Sequence, residues 1–271
     1  MKKSFSAVVF LFLGQFLFAA DLPEAATLRA AAEKGDTKAM VELGRAYVGS
    51  RLGLEGGVEM AIPWFEKAAE KGDTEGMYWA GTMQLDDKPG SPKVKRAIEW
   101  FTKLAITGNT EAMATLAEIY YADDDETSVK WSKLEADAGV VGAFGVVAKA
   151  YHEGRGVTKD PAMAVEWYKR GLAQGGTYYM NDLGEAYLAG DGVPKDAKQA
   201  VAWFKKGAET GVKGAMFNLG LAYLDGTGVE KDLTKAREWI EKGDEVPWIK
   251  ERALQRIDTE MKKSAGEKKA K

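Results

Sequence analysis

The sequence has no cysteine and only one histidine, His152, in its 271 residues. Disulfide staples and thiolate chemistry are therefore excluded, as are metal sites built on several histidines. A serine triad would have to use His152, which follows Tyr151 at a helix end, where an exposed imidazole simply complements the helix dipole. Basic excess is also missing. The formal net charge is −3, and more negative without Lys2 and Lys3, so there is no electrostatic case for binding nucleic acid. Long apolar runs are confined to Val8–Phe18, behind Lys2 and Lys3 and ahead of Ala19 and Ala20. That run is short for a membrane span and is interrupted by Gly14 and Gln15. Its layout is that of a secretory signal peptide. We expect residues 1–20 to be removed, leaving a periplasmic or secreted protein with no membrane span and stability that comes from packing alone.

What is present is periodic. Three loops, GRGVTKD, GDGVPKD and GTGVEKD, begin at Gly154, Gly190 and Gly226, 36 residues apart. A glycine-rich loop ahead of a helix can cradle phosphate, but these loops follow helical stripes rather than strands and carry no Gly-Lys-Ser/Thr element. Tryptophan recurs at Trp64, Trp100, Trp131, Trp167, Trp203 and Trp239, every 36 residues apart from one interval of 31. A turn glycine recurs at Gly35, Gly72, Gly108, Gly139, Gly175 and Gly211, followed five residues later by Met40, Met77, Met113, Phe144, Met180 and Met216. Both apolar registers are expected to pack in the core between neighbouring repeats.

Each period holds two amphipathic helices. Ala200, Trp203, Phe204, Gly207 and Ala208 form one stripe, and Met180, Leu183, Gly184 and Tyr187 form the one before it. Gly190 suits the left-handed position that ends a helix; Asp160, Asp196 and Asp232 suit N-caps, and Pro161 a first helical turn. The opening glycines are thus turn chemistry. The spacing predicts an all-α fold: an α-solenoid, a right-handed superhelix of about six antiparallel helix pairs over 37–243. Capping helices are expected at 21–36 and 244–262, with a disordered tail over 263–271. The acidic run Asp123 to Glu126 lacks the alternation and turn glycine of a helix-loop-helix calcium site, so we expect it to cap the next helix. No catalytic, cofactor or metal residues emerge.

The Leu-Gly and Tyr of DLGEAYLAGDGVPKDAKQAVAWFKKGAETG and NLGLAYLDGTGVEKDLTKAREWIEKG resemble the Sel1-like repeat, a relative of the tetratricopeptide repeat. The resemblance spans nearly the whole mature chain and implies a non-catalytic adaptor that holds partner proteins. The third copy departs from the pattern. It is five residues short, has no Gly-x-Gly loop and places Ser128, Ser132 and Glu135 on its stripe, while Gln84 replaces the tyrosine of the second copy. The stack should be weaker or bent in the third copy. The paired cysteines of an exported subgroup linked to penicillin binding are missing, so activity on β-lactam or cell-wall substrates is not carried over.

Aligning the copies on the turn glycine leaves three first-helix positions whose chemistry keeps changing, six, seven and ten residues on. They hold Val41, Glu42 and Arg45; Tyr78, Trp79 and Thr82; Asn181, Asp182 and Glu185; and Phe217, Asn218 and Leu221. These offsets share one helical face. In stacked helix pairs the first helices usually line the concave binding side. We expect this face to hold a protein or peptide partner, with Tyr78, Trp79 and Phe217 as aromatic anchors. A cell-wall glycan stacked on Tyr78 and Trp79 is the alternative.

Overall fold

The computed structural model describes residues 23–85, 90–243 and 246–269, with side chains as far as residue 264. The expected signal peptide lies outside these residues. Among them are fourteen helices and no strand. The helices are α1 Pro23–Glu33, α2 Thr37–Val48, α3 Gly57–Glu70, α4 Thr74–Thr82, α5 Pro92–Ile106, α6 Thr110–Tyr120 and α7 Asp125–Asp137. They continue as α8 Val141–Glu153, α9 Pro161–Ala173, α10 Tyr179–Ala189, α11 Ala197–Glu209, α12 Lys213–Asp225, α13 Leu233–Lys242 and α14 Pro247–Lys269. The chain divides into two compact units, one ending at Leu116 and the other beginning at Ala117. The division falls inside α6, in the shortened third copy.

Within each unit consecutive helices pack as hairpins, and first helices also touch first helices, α2 with α4 and α10 with α12. The expected punctuation is in place. Asp160 accepts from the Met163 amide at 3.0 Å, and Asp196 and Asp232 cap α11 and α13 in the same way. Gly190 ends α10 at φ 80, a left-handed conformation that costs a glycine least. Asp124 caps α7 by accepting from the amide and hydroxyl of Thr127, Asp125 pairs with Arg155 and Glu126 with Lys130, so these three members of the acidic run are engaged in starting the helix and in ion pairs.

The second glycine of each Gly-x-Gly loop has a further task. A Cβ at Gly192 would stand 2.2 Å from the carbonyl oxygen of Pro161, the first residue of the preceding second helix. Gly156 and Gly228 lie equally close to Asp125 and Ala197. The motif that looks like a phosphate cradle is where one repeat's loop lies against the backbone of the repeat before it.

Inside each regular hairpin a glycine nine residues past the turn glycine lets a second-helix side chain seat against the first helix. A Cβ at Gly184 would lie 2.3 Å from the ring of Phe204, at Gly44 2.6 Å from Phe65, at Gly81 2.9 Å from Phe101, and at Gly220 2.6 Å from Ile240. All four partners are 1% exposed or less. The third copy replaces this apolar contact with buried serines. The Ser128 hydroxyl donates to the Ala117 carbonyl at 2.8 Å and that of Ser132 to the Ser128 carbonyl at 3.1 Å, so neither is left unsatisfied. Gln84, in the tyrosine position, is also buried and donates to Glu66 and the Ala80 carbonyl.

Two expectations need correction. The tryptophan register is not uniformly core: Trp100 and Trp167 are buried, but Trp64, Trp131, Trp203 and Trp239 are only half-buried. Lys67 lies 4.2 Å from the Trp64 ring centre, Lys206 4.6 Å from Trp203 and Lys242 4.9 Å from Trp239, so lysine stems and ammonium groups cover part of these three rings. The buried Trp100 and Trp167 carry the same kind of contact, from Lys103 and Arg170, so the cation alone does not set the depth of the ring. The second concerns the tail, where α14 runs on through Lys269 instead of ending at 262. Pro is absent there, and Ala, Glu and Lys are good helix formers.

Gly184→Leu is expected to lower stability by about 3 kcal/mol or more, since the Phe204 ring has nowhere to go. Urea unfolding measures it. An unchanged midpoint would show that the ring does not depend on this approach.

Candidate functional site

The variable first-helix positions form a separate patch in each unit. In the first unit Arg45 on α2 pairs with Glu42 at 2.8 Å and reaches across to Glu75 on α4. Tyr78 donates its hydroxyl to Glu111 on α6 at 2.9 Å, and that carboxylate and burial together push the phenol pKa up. Thr82 donates back to the Tyr78 carbonyl. Trp79 stacks on Phe65 with ring centres 5.8 Å apart and lies within 5.5 Å of the Arg45 guanidinium. Tyr78 and Trp79 are accordingly half-buried rather than free platforms.

In the second unit the patch is an amide and carboxylate network. Asn218 on α12 donates to both Asn181 and Glu185 on α10, each at 2.9 Å, and Asn181 donates to the same Glu185 oxygen. Leu221 is half-buried against the core of this unit. Phe217, expected as an exposed anchor, is a core residue at 3% exposure. The turn after α13 covers it, with Gly243 so close that a Cβ there would be 2.7 Å from the Phe217 amide nitrogen. Val41, at the same register, is buried as well. The position six residues past the turn glycine is therefore core in the first and sixth copies, whereas Tyr78 and Asn181 at the same register stay half-buried beside the positions seven and ten residues on.

Below the Asn181–Glu185 network lies a cavity of about 280 Å³ that sequence reasoning did not anticipate. Its walls include His152 at the end of α8, Pro161 and Tyr168 on α9, Asp182 and Glu185 on α10, and Asp191 in the following loop. His152 Nδ1 is 2.9 Å from Asp191, so the lone histidine is not merely a solvated helix end. Burial, reinforced by Glu185, raises the Asp182 carboxyl to about 6. Tyr168 is pushed up to about 12, first by burial and then by Asp182, Glu185, Glu153 and Asp191. One clue was legible in advance. Tyr168 stands where Phe65, Phe101, Phe204 and Ile240 stand in other copies, and Ala148 replaces the glycine that seats them. With a methyl in that place the ring cannot seat as deeply, and Tyr168 is left half-buried beside the cavity.

The sequence pattern of the Sel1 repeat matches residues 37–73, 74–108, 146–176, 177–212 and 214–243. The chain belongs to the Sel1 repeat family. The unmatched stretch between 109 and 145 is the irregular third copy, which nonetheless folds as the helices α6 and α7. Among solved structures, a protective antigen of uropathogenic Escherichia coli with an SLR fold is similar at 28% identity and a TM-score of 0.60. The match covers 87% of this chain and 56% of the antigen, so this Sel1 repeat chain spans about half the antigen's length. A Sel1 repeat protein from Oxalobacter formigenes is similar at 25% identity and a TM-score of 0.51, over 84% of this chain and 98% of that one. No curated protein matches the chain.

The Asp182 carboxyl gives a pH test of the second patch. Its folded-state pKa lies above the usual carboxylate value of about 3.9. The stability it contributes is thus fully present below that value and is lost as pH rises through about 6. Asp182→Asn should stabilise the fold above pH 7 by roughly 1 kcal/mol, a figure reduced because the carboxyl still meets water, and give no gain near pH 3.5. Thermal melts at the two pH values check this. A variant less stable at pH 7.5 would show that the carboxylate has a stabilising partner.

Proposed function

We propose that the protein is a non-catalytic scaffold of the cell envelope that binds a protein or peptide along its outward first-helix faces. Sel1 repeats are commonly interaction scaffolds and are typically non-catalytic, and the signal-like start at Lys2 to Ala20 supports export. The observation that carries the reading is the linkage of variable side chains from one first helix to the next. Arg45 to Glu75 and Asn218 to Asn181 and Glu185 join positions about one repeat apart, so the face is held in shape before any partner arrives. Pre-organisation of this kind lowers the ordering cost of binding.

The same contacts weigh against a sugar platform. Trp79 is stacked on Phe65 and approached by Arg45, which leaves little of its face for a pyranose ring. The test is crosslinking of the full chain in a native envelope fraction, followed by mass spectrometry. Tyr78→Ala or Asn218→Ala should weaken capture of a protein partner by about ten-fold or more, as loss of an anchor does. Lys205→Ala, exposed on the second helix α11, should be silent. Capture indifferent to both first-helix changes, or retention on purified cell wall alone, would contradict the reading.

A further inference from the structure

The cavity between α8, α9 and α10 combines three features. The first is shape. About 280 Å³ is the share of roughly nine water molecules, enough for one long side chain and far too small for a helix 10–12 Å across. The second is charge of one sign. Asp182 and Glu185 enter from α10 and Asp191 from the loop after it, Glu153 acts on the same Tyr168 hydroxyl, and no lysine or arginine lines the walls. The patch of the first unit differs, because Arg45 neutralises Glu42 and Glu75 there.

The third feature is the way these carboxylates are held. Glu185 is fixed by two amide donors, Asn181 and Asn218, and Asp191 by His152. Among the described residues Asp182 has no side-chain donor; the hydrogen bond that bears on its carboxyl comes from its own backbone. A half-buried carboxylate without a cation is costly, and a cation entering the cavity would relieve that cost. The remaining lining suits the rest of such a ligand. Pro161, Ala164 and Val165 on α9 and Ala186 on α10 offer apolar surface for a methylene stem, and the Tyr168 ring lies beside it.

We propose that this cavity seats a lysine or arginine side chain of an extended peptide laid along the first-helix face. The proposal rests on the peptide-binding reading above and names the partner's chemistry: a basic residue, whose cationic head meets Asp182 and Glu185 while its stem lies on α9. Asn181 and Asn218 are positioning residues that aim Glu185. Charge complementarity selects this occupant, since an acidic segment would face the three lining carboxylates and a neutral one would leave Asp182 uncompensated.

His152, the lone histidine, is a unique reporter in the cavity wall. The experiment follows its imidazole resonances while the full chain is titrated with blocked glycine-rich pentapeptides carrying a central arginine, lysine, citrulline or glutamate. Arginine and lysine peptides should shift His152 and saturate, with citrulline and glutamate peptides at least about ten-fold weaker. Asp182→Asn with Glu185→Gln should abolish the difference between arginine and citrulline; Glu185→Gln alone should halve it or more, and serves if the double variant does not fold. Equal binding of arginine and citrulline peptides, or an arginine preference that survives both substitutions, would overturn the proposal. The capture assay on the same proteins separates the two levels. Capture that still depends on Tyr78 and Asn218 while no basic peptide perturbs His152 removes the seat and leaves the scaffold reading standing. Failure of both removes the scaffold reading as well.

Discussion

Each regular repeat depends on one close approach, that of a second-helix side chain to a first-helix glycine. Gly44, Gly81, Gly184 and Gly220 leave open the space that the Phe65, Phe101 and Phe204 rings and the Ile240 side chain fill. This contact fixes how near the two helices of a hairpin lie, and so where the next hairpin can sit. The Gly-x-Gly loops extend the constraint between repeats, because Gly156, Gly192 and Gly228 touch the backbone that opens the preceding second helix. Packing of this sort lets a cysteine-free chain hold a repeat stack without covalent staples.

Where the approach is altered, the surface changes character. Ala117 and Ala148 replace the glycine in the third and fourth copies, and Ser132 and Tyr168 replace the large apolar partner. In the third copy the contact becomes a pair of buried serine hydrogen bonds, and the division between the two units falls there. In the fourth, Tyr168 borders an acidic cavity. A one-carbon change in the packing register thus links the core to the most ligand-like feature of the outward face.

Most of the fold was legible because its signals are local. Helix periodicity, aspartate caps, Pro161 and the left-handed glycines each act within a few residues, and the 36-residue repeat assigns them to equivalent places. The site was less legible, because exposure is decided by contacts outside the helix that carries each residue. Phe217 looks like Tyr78 by register, yet the turn at Gly243 covers it and nothing equivalent buries Tyr78. Trp79 belongs to the variable register, but its stacking on Phe65 joins residues in different helices. The cavity draws His152, Tyr168 and Asp182 from three helices, and the sequence marks it only by departures from the repeat, such as His152 where Leu188 and Leu224 stand in later copies. The helical tail beyond 262 reflects backbone propensity in a segment whose lack of apolar residues suggested disorder.

The central claim is a division of labour, with first-helix faces for recognition and lysine-covered second helices for solvent. Site-specific photo-crosslinking in the native cell tests it most directly, with a photoreactive residue placed in turn at Thr82, at Asn181 and at Lys205. The account predicts protein adducts from Thr82 or Asn181 and none from Lys205. Adducts from Lys205 alone would place the binding surface on the second helices and contradict it.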